Sequence, residues 1–197
     1  MKYETKKPTD VVIAWVDGND QTLSKKREKY LNSNTKMVPS GAEKTRFSSL
    51  NEINYCVVSI LKFASFIRKI FIVTDQQVPG IQNIVKQYYP DRIPDIKIID
   101  HKEIFIGLED FLPTFNSICI SNMIWRIDDL SDQFVYFNDD IFLLRKISPE
   151  VWFKKGYPVL RAKWSLPPFE RLIWDELKVN FKKIILRNIK KKNPSFQ

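Results

Sequence analysis

Four short runs of β-branched, aromatic and aliphatic residues alternate along the chain with segments whose apolar positions recur at helical spacing. A run that is apolar at nearly every position is typical of a strand buried on both faces of a parallel sheet. We predict these strands at residues 10–16, 68–74 and 96–99, with a fourth that begins at Phe134. Because strands and helices alternate, the pattern predicts an α/β fold in which a mostly parallel sheet carries helices on both faces.

The segments between the strands predict helices, and we expect these at residues 20–32, 50–66, 81–90 and 116–126. Asp20 can cap the first helix, and Asn116 or Ser117 can cap the fourth, because their side-chain oxygens accept from free backbone N–H groups. Cys56 and Cys119 fall in the second and fourth helices, and we expect both to be buried free thiols.

Smaller elements are expected after the fourth strand: a turn with a helix start at 148–153, a brief edge strand at 157–161, and a helix from Pro168 onwards. We therefore place an α/β domain at residues 1–150 and a basic helical extension at 151–197. The apolar stripe of the last helix consists of Leu177, Phe181, Ile184, Ile185 and Ile189.

The net charge of +9 is concentrated in this extension, where seven lysine and arginine residues lie between positions 178 and 192 with no acidic residue among them. This distribution does not indicate nucleic-acid binding. A basic amphipathic helix can make peripheral contact with an anionic membrane surface, or it can pack on the domain with its basic face in water. The sequence leaves both alternatives open.

Several classes of protein are excluded by missing motifs. None of the five glycines stands at Gly-x-Gly spacing, which excludes a Walker loop and a dinucleotide fingerprint. A single histidine and the absence of Gly-x-Ser-x-Gly argue against a nucleophilic hydrolase. No apolar run approaches ~18 residues and the first ten residues are polar, so a cytoplasmic location is the default expectation. The class of function that remains after these exclusions is metal-assisted chemistry on a phosphorylated substrate.

Each predicted strand ends at an aspartate, and the four are Asp17, Asp75, Asp100 and Asp139. Because ligands of open α/β sheets bind outside the carboxyl ends of the strands, these carboxylates should collect at one rim. Like charges there raise each other's pKa unless a cation or a basic substrate offsets them. The alternative is that each aspartate is a solvated strand end or a helix cap.

The strongest candidate for chemistry is Asn138-Asp139-Asp140, which interrupts an apolar stretch from Phe134 to Leu144. An unpaired buried carboxylate costs several kcal/mol, so the two aspartates should be solvated or neutralised by a cation. Mg²⁺ or Mn²⁺ is commonly held by one or two carboxylates together with substrate phosphates. The alternative is a strand followed by an ordinary Asx turn.

Several short motifs also occur in a defined order over residues 10–145. The first is Asp-Val-Val-Ile-Ala-Trp-Val-Asp-Gly at 10–18, and the later ones are Arg46-Phe47, Ile-Phe-Ile-Val-Thr-Asp-Gln-Gln-Val-Pro at 70–79, Ile99-Asp100-His101, Leu-Pro-Thr-Phe-Asn-Ser at 112–117 and Tyr-Phe-Asn-Asp-Asp at 136–140. In these motifs the chain resembles the Stealth family of sugar-phosphate transferases. That family includes bacterial capsular polysaccharide phosphotransferases and the animal enzyme that adds N-acetylglucosamine-1-phosphate to lysosomal glycoproteins.

The resemblance implies that a hexose-1-phosphate moves from a nucleotide-sugar donor to a hydroxyl of a glycan or lipid-linked glycan acceptor, with release of the nucleoside monophosphate. It implies Asp139 and Asp140 as ligands of the metal and pyrophosphate, and Asp17 as a donor-site or acid/base carboxylate. Arg46 would offset phosphate charge. His101 is a candidate base, with a structural role beside Asp100 as the alternative. Six residues complete the implied substrate site: Trp15, Gly18, Asp75, Asn116, Ser117 and Asn138.

The chain departs from the family pattern at several positions. Asn54 and Val58 stand where arginines are common, and Cys119-Ile120-Ser121 and Trp125-Arg126 replace Ala-Ile-Glu and His-Arg. The third and fourth conserved blocks, which in relatives carry a further histidine and arginine, have no recognisable counterpart after residue 150. We therefore expect a truncated chain that binds donor and turns over far more slowly than full-length relatives. A metal-dependent glycosyltransferase and a non-catalytic binding remnant are the alternative functions.

Overall fold

Four parallel strands form the central sheet in the computed structural model, which describes residues 7–30, 49–165, 173–174 and 176–180. The strands are β1 (Thr9–Ala14), β2 (Ile67–Thr74), β3 (Ile96–Asp100) and β4 (Gln133–Asn138). Their spatial order is β3-β2-β1-β4, and every neighbouring pair is parallel. The predicted α/β fold is confirmed.

Helices connect the strands. The described residues contain α1 (Gln21–Glu28), α2 (Glu52–Phe63), α3 (Gln82–Tyr88), α4 (His101–Ile104) and α5 (Ser117–Ser121). Short 3₁₀ turns occur at Pro90–Asp95, Glu109–Phe111, Ile124–Arg126 and Pro149–Val151. Asp20 caps α1 as predicted, since its Oδ1 accepts from the backbone N–H groups of Thr22 and Leu23.

Two hydrophobic cores cover the two faces of the sheet because successive strand residues point to opposite sides. On one face Val11, Ile13, Ile70 and Ile72 pack with the apolar side of α2, formed by Ile53, Val57 and Ile60. On the other face Val12, Phe71 and Val73 pack with Ile104, Phe105, Ile124 and Ile127. The first face is therefore covered by α2 together with Val85 of α3, while short helical pieces cover the second.

The predicted helix at 116–126 is wrong in length, because α5 ends at Ser121 and a separate 3₁₀ turn follows at Ile124–Arg126. Ser121 Oγ donates to the carbonyl oxygen of Ile118 within the last turn of α5, a local bond that competes with continued helix. Cys119 lies on the outer side of this short helix and is exposed, so its predicted burial is also wrong. Cys56 is buried as predicted.

The predicted edge strand at 157–161 is shorter and differently placed. Its described strand part, β6 (Tyr157–Pro158), pairs antiparallel with β5 (Phe153–Lys154) in a separate hairpin. Lys155 and Gly156 both have positive φ, which suits a tight two-residue turn between twisted strands. β6 therefore pairs with β5, the strand just before it in sequence, and the apolar pattern does not indicate this partner.

The chain divides into two compact units, Met1–Val159 and Leu160–Gln197. In the second unit, residues 173–174 and 176–180 are helical, within the segment for which a helix is predicted. The predicted helix beyond residue 180 lies outside the described residues, and the division after residue 150 stays a prediction. In the described part of the chain, no helix is both long enough and apolar enough to cross a bilayer.

Candidate functional site

A cavity of about 180 Å³ opens at the carboxyl edge of the sheet. Trp15 lines it from the end of β1, Val73 from β2, and Asn138 and Asp139 from the end of β4. From β1 the chain continues to β2 and β3, which lie on one side of β1 in the sheet. It then returns to β4, which lies on the other side of β1. Ligands of open α/β sheets bind at such a reversal of strand order, so this cavity is the candidate site.

The carboxyl group of Asp139 is the most perturbed acid at the cavity. Burial raises its pKa to about 6, and the negative charges of Asp140 and Glu52 act in the same direction. Among the described residues, no lysine or arginine forms an ion pair with Asp139. A partly desolvated carboxylate without a counter-charge is stabilised by a cation, which gives Asp139 a physical reason to bind one.

Asp139 and its exposed neighbour Asp140 fit the oxygen-ligand chemistry of Mg²⁺ or Mn²⁺. No group of three or more histidine, cysteine, aspartate or glutamate side chains suited to a metal ion occurs in the described residues. Mg²⁺ keeps water and substrate phosphate oxygens as further ligands, so two carboxylates suffice for an ion that binds together with a pyrophosphate. The metal stays a prediction.

The loop that carries Asp17 and Gly18 is held by Gln77, a buried residue that follows β2. The Gln77 amide oxygen accepts from the backbone N–H of Asp17 at 2.9 Å, and its Nε2 donates to the Asp17 carbonyl oxygen at 3.0 Å. Nε2 also donates to Asp20 Oδ2 at 3.2 Å, which lowers the pKa of that carboxyl group. One side chain thus fixes both the turn after β1 and the start of α1.

A lysine neutralises the second strand-end aspartate. Lys26 Nζ contacts both carboxylate oxygens of Asp75, at 2.8 and 2.7 Å, and the Asp75 side chain is mostly buried at the cavity wall. His101, which also lines the cavity, is buried, and its Nδ1 has no partner among the described residues. Burial lowers the pKa of His101, so the imidazole is neutral at pH 7 and is able to accept a proton.

Two other predicted residues act as helix caps. Asp100 accepts from the backbone N–H of Lys102 and takes part in a capping box at the start of α4, and it also accepts from the backbone N–H of Gln76 at 2.7 Å. Asn116 Oδ1 accepts from the backbone N–H of Ile118 at 2.9 Å, which makes Asn116 the N-cap of α5. Both residues therefore cap helices, and the substrate-binding role of Asn116 stays a prediction.

The structure brings six predicted residues together at the cavity wall: Trp15, Asp75, His101, Ser117, Asn138 and Asp139. Asp17, Gly18, Asn116 and Asp140 are not in the wall, and Arg46 lies outside the described residues. Wall residues that the sequence reasoning missed include Leu23, Thr114, Phe115, Ile120 and Tyr136. Tyr136 could have been found, because strand alternation puts it on the same side of β4 as Asn138.

Comparison with known proteins gives the same assignment as the motifs. A family model described as "Stealth protein CR2, conserved region 2" matches residues 46–159, more than half of the chain. The chain belongs to the Stealth family. The region matched by the family model ends at Val159, which is also the last residue of the first compact unit.

Curated relatives support this membership. A capsular polysaccharide phosphotransferase of Haemophilus influenzae is 37% identical over 147 residues, which are 75% of this chain and 38% of that protein. An exopolysaccharide phosphotransferase of Streptomyces coelicolor is 38% identical over 146 residues, 74% of this chain and 25% of the relative. A capsular polysaccharide phosphotransferase of Actinobacillus pleuropneumoniae is 38% identical over 74% of this chain and 38% of its own length. This Stealth chain thus matches about a quarter to two fifths of the length of these relatives.

Proposed function

We propose that this chain forms the donor-binding part of a phosphotransferase that moves a hexose-1-phosphate from a nucleotide-sugar to a glycan hydroxyl in capsular or surface polysaccharide synthesis. The observation that carries the proposal is Asp139, which is half-buried in the wall of the switch-point cavity and has no basic partner among the described residues. The names of the Stealth relatives support the reaction class, since each is called a polysaccharide phosphotransferase.

In this reaction an acceptor oxygen forms a bond to the phosphorus that carries the hexose. The bond from that phosphorus to the bridging oxygen of the diphosphate breaks, and the nucleoside monophosphate leaves. The acceptor hydroxyl loses its proton to a base. His101 is suited to accept it because the imidazole is neutral, buried and at the cavity wall.

Other residues of the chain position the donor. Asp139 and Asp140 would hold a divalent cation, which neutralises phosphate charge when it is bound. Ser117 lines the cavity at the start of α5, and its hydroxyl can donate to a phosphate or sugar oxygen. Trp15, Phe115 and Tyr136 line the cavity and are the aromatic side chains against which a nucleoside would pack.

Donor binding provides the direct test. The chain is titrated calorimetrically with UDP-, CDP- and GDP-sugars in Mg²⁺ and again in excess EDTA. We expect at least one donor to bind in Mg²⁺ only, and Asp139→Asn to abolish that binding. Asp132→Asn is the matched control, because Asp132 lies just before β4 at the opposite edge of the sheet and pairs with Lys7.

Two outcomes would contradict the proposal: no binding of any donor in Mg²⁺, or undiminished binding in EDTA. Where turnover is detectable with an acceptor, the nucleotide product identifies the bond that breaks. A monophosphate supports phosphoryl transfer, whereas a diphosphate shows that the anomeric carbon is attacked, as in a metal-dependent glycosyltransferase.

A further inference from the structure

The ion pair between Lys26 and Asp75 lies beside His101, the base of the proposed reaction. Thr74 and Asp100 are paired residues at the ends of β2 and β3, so Asp75 and His101, which follow them, leave neighbouring strands side by side. Both of these side chains line the cavity. A charged pair next to a base can control when that base binds a proton.

The ion pair is closely made and little exposed to water. Lys26 Nζ lies 2.8 and 2.7 Å from the two carboxylate oxygens of Asp75. The Asp75 side chain is 10% exposed and that of Lys26 is 30% exposed. A carboxylate in such a place is costly unless a cation or a proton neutralises it. Lys26 supplies the positive charge that Asp75 would otherwise draw from its surroundings.

His101 is the neighbouring group that can supply such a charge by binding a proton. Its side chain is buried, and Nδ1 has no hydrogen-bond partner among the described residues. Burial lowers the pKa of His101 most strongly, whereas the negative charges of Asp75 and Asp100 raise this pKa and the positive charge of Lys26 lowers it. The two members of the ion pair therefore act on the imidazole in opposite directions.

The other charged groups around His101 are engaged elsewhere or lie apart. Asp100 caps α4 through backbone N–H groups, and Glu103 accepts from the backbone N–H of Asp100 at 2.7 Å. Arg126, in the 3₁₀ turn beside α4, donates to two backbone carbonyl oxygens. Lys102 is exposed on α4, and Asp139 lies in the part of the cavity wall that comes from β4. Within the described part of the chain, Lys26 and Asp75 are hydrogen-bonded only to each other.

We propose that Lys26 is a positioning residue for proton transfer: by pairing with Asp75 it prevents that carboxylate from holding a proton on His101, so the imidazole is free to accept the proton of the acceptor hydroxyl. This inference rests on the proposed function, in which His101 is the base. Without Lys26, the unpaired carboxylate favours the imidazolium ion, which has no lone pair for a further proton. The acceptor oxygen would then keep its proton until the pH is higher.

The experiment follows His101 directly by NMR. His101 is the only histidine of the chain, so the imidazole signals need no further assignment. They are titrated from pH 4 to pH 9 in EDTA, without donor or acceptor. We expect Lys26→Met to raise the pKa of His101 and Asp75→Asn to lower it, because each variant leaves the opposite charge unbalanced.

Three further variants separate this effect from a general loss of charge or structure. Lys26→Arg keeps a cation beside Asp75 and should titrate as the parent chain does. Lys25→Met removes the same charge from an exposed position of α1 and should shift the titration less than Lys26→Met. The double variant Lys26→Met with Asp75→Asn removes both charges and should titrate between the two single variants. If Lys26→Met does not fold, Asp75→Asn still tests the coupling through its opposite shift.

An unchanged His101 titration in Lys26→Met and Asp75→Asn overturns the inference, even if both variants are less stable, because the ion pair would then only join α1 to β2. With donor, acceptor and Mg²⁺, the acid limb of the rate profile of Lys26→Met should move to higher pH by the same amount as its NMR titration. A rate profile that does not follow the titration also overturns the inference.

Donor binding in Mg²⁺ separates these results from the proposed function. Donor binding together with an unchanged titration refutes the role of Lys26 alone. A shifted titration in a chain that binds no donor refutes the proposed function, and the role of Lys26 in proton transfer is then refuted with it.

Discussion

Arg68 holds the fully buried carboxylate of Asp10 from two sides, with Nε 3.0 Å from Oδ1 and Nη2 2.6 Å from Oδ2. The backbone N–H groups of Lys69 and Ser131 complete the shell of Asp10. This single carboxylate therefore joins the start of β1 to the start of β2 and to the turn that precedes β4. It fixes the end of the sheet opposite to the cavity.

Arg68→Met should lower the free energy of unfolding by about 3 kcal/mol, because removal of one partner leaves a buried charge without its counter-ion. Chemical denaturation at pH 7 measures the effect. Lys7→Met, which breaks the exposed pair with Asp132, should leave the free energy of unfolding almost unchanged, because water screens exposed ion pairs. In the double variant Asp10→Asn with Arg68→Met the loss should be smaller than the sum of the two single losses. Strict additivity would show that the pair does not act as a unit.

Gln77→Leu should weaken donor binding more than it weakens the fold. The substitution removes the bonds that position Asp17 and Asp20, but it keeps a side chain of similar volume in a buried place. We expect the dissociation constant of the donor to rise about tenfold, which corresponds to ~1.4 kcal/mol. Val78→Ala, at an exposed neighbouring position, is the control. Equal donor affinity in Gln77→Leu and the parent chain would contradict a positioning role.

Asp139 should make the metal-free protein less stable at neutral pH. Its folded pKa of about 6 lies above the ordinary value of 3.8, so the folded state binds the proton more tightly than the unfolded state. The stabilisation from protonation is present at low pH and is lost as the pH rises from about 4 through about 6. In EDTA at pH 7.5, Asp139→Asn should therefore raise the free energy of unfolding by about 1–2 kcal/mol, after allowance for partial solvation.

Thermal unfolding from pH 4 to pH 8 measures this dependence. The difference between Asp139→Asn and the parent chain should shrink towards zero at pH 4. Asp132→Asn should show no such gain, because its exposed carboxylate is paired with Lys7 and the pKa of Asp132 is lowered. A parent chain that is more stable than Asp139→Asn at pH 7.5 in EDTA would refute the prediction.

The basic extension predicts binding to anionic membranes through the segment 177–189, most of which lies outside the described residues. Basic residues near an acidic surface contribute about 1 kcal/mol each, so the seven between 178 and 192 give appreciable attraction even if half are poorly placed. Flotation with anionic and neutral liposomes at moderate salt measures it. Replacing Lys190, Lys191 and Lys192 by glutamine should reduce recovery with the anionic vesicles. Equal recovery with both kinds of liposome would mean that the helix is structural.

The strands could be predicted because their apolar runs depend on burial alone. Val11, Val12 and Ile13 read as a doubly buried strand, and they are fully buried in β1. The sequence predicted that the strand-end carboxylates gather at one edge of the sheet, but it did not predict which group each of them contacts. Asp75 pairs with Lys26, 49 positions away, and such tertiary pairs leave no local pattern. Asp100 caps α4, a helix too short to produce a periodic signal.

The parts of the site that the sequence missed also depend on distant contacts. Gln77 contacts a loop that lies 60 positions earlier, and the motif at 70–79 that contains Gln77 does not indicate this contact. Cys119 looked buried because its neighbours are apolar, yet it is exposed, and its neighbour Ile120 is the residue of α5 that packs against the core. Conversely, Asn138-Asp139-Asp140 was recognisable from the sequence. Buried carboxylates cost free energy unless they are paired, so two of them within an apolar run indicate a binding site.

The central place of β1 has a consequence for the growing polypeptide on the ribosome. Its first residue, Thr9, faces Gln133 of β4, so the second neighbour of β1 is synthesised only after all the residues between Thr9 and Gln133. Contacts between such distant segments form slowly. Until β4 emerges, one edge of β1 is an open template for other strands, and the nascent chain depends on being shielded there. The cavity, whose wall includes Asn138 and Asp139 at the end of β4, therefore cannot form before β4 has been synthesised.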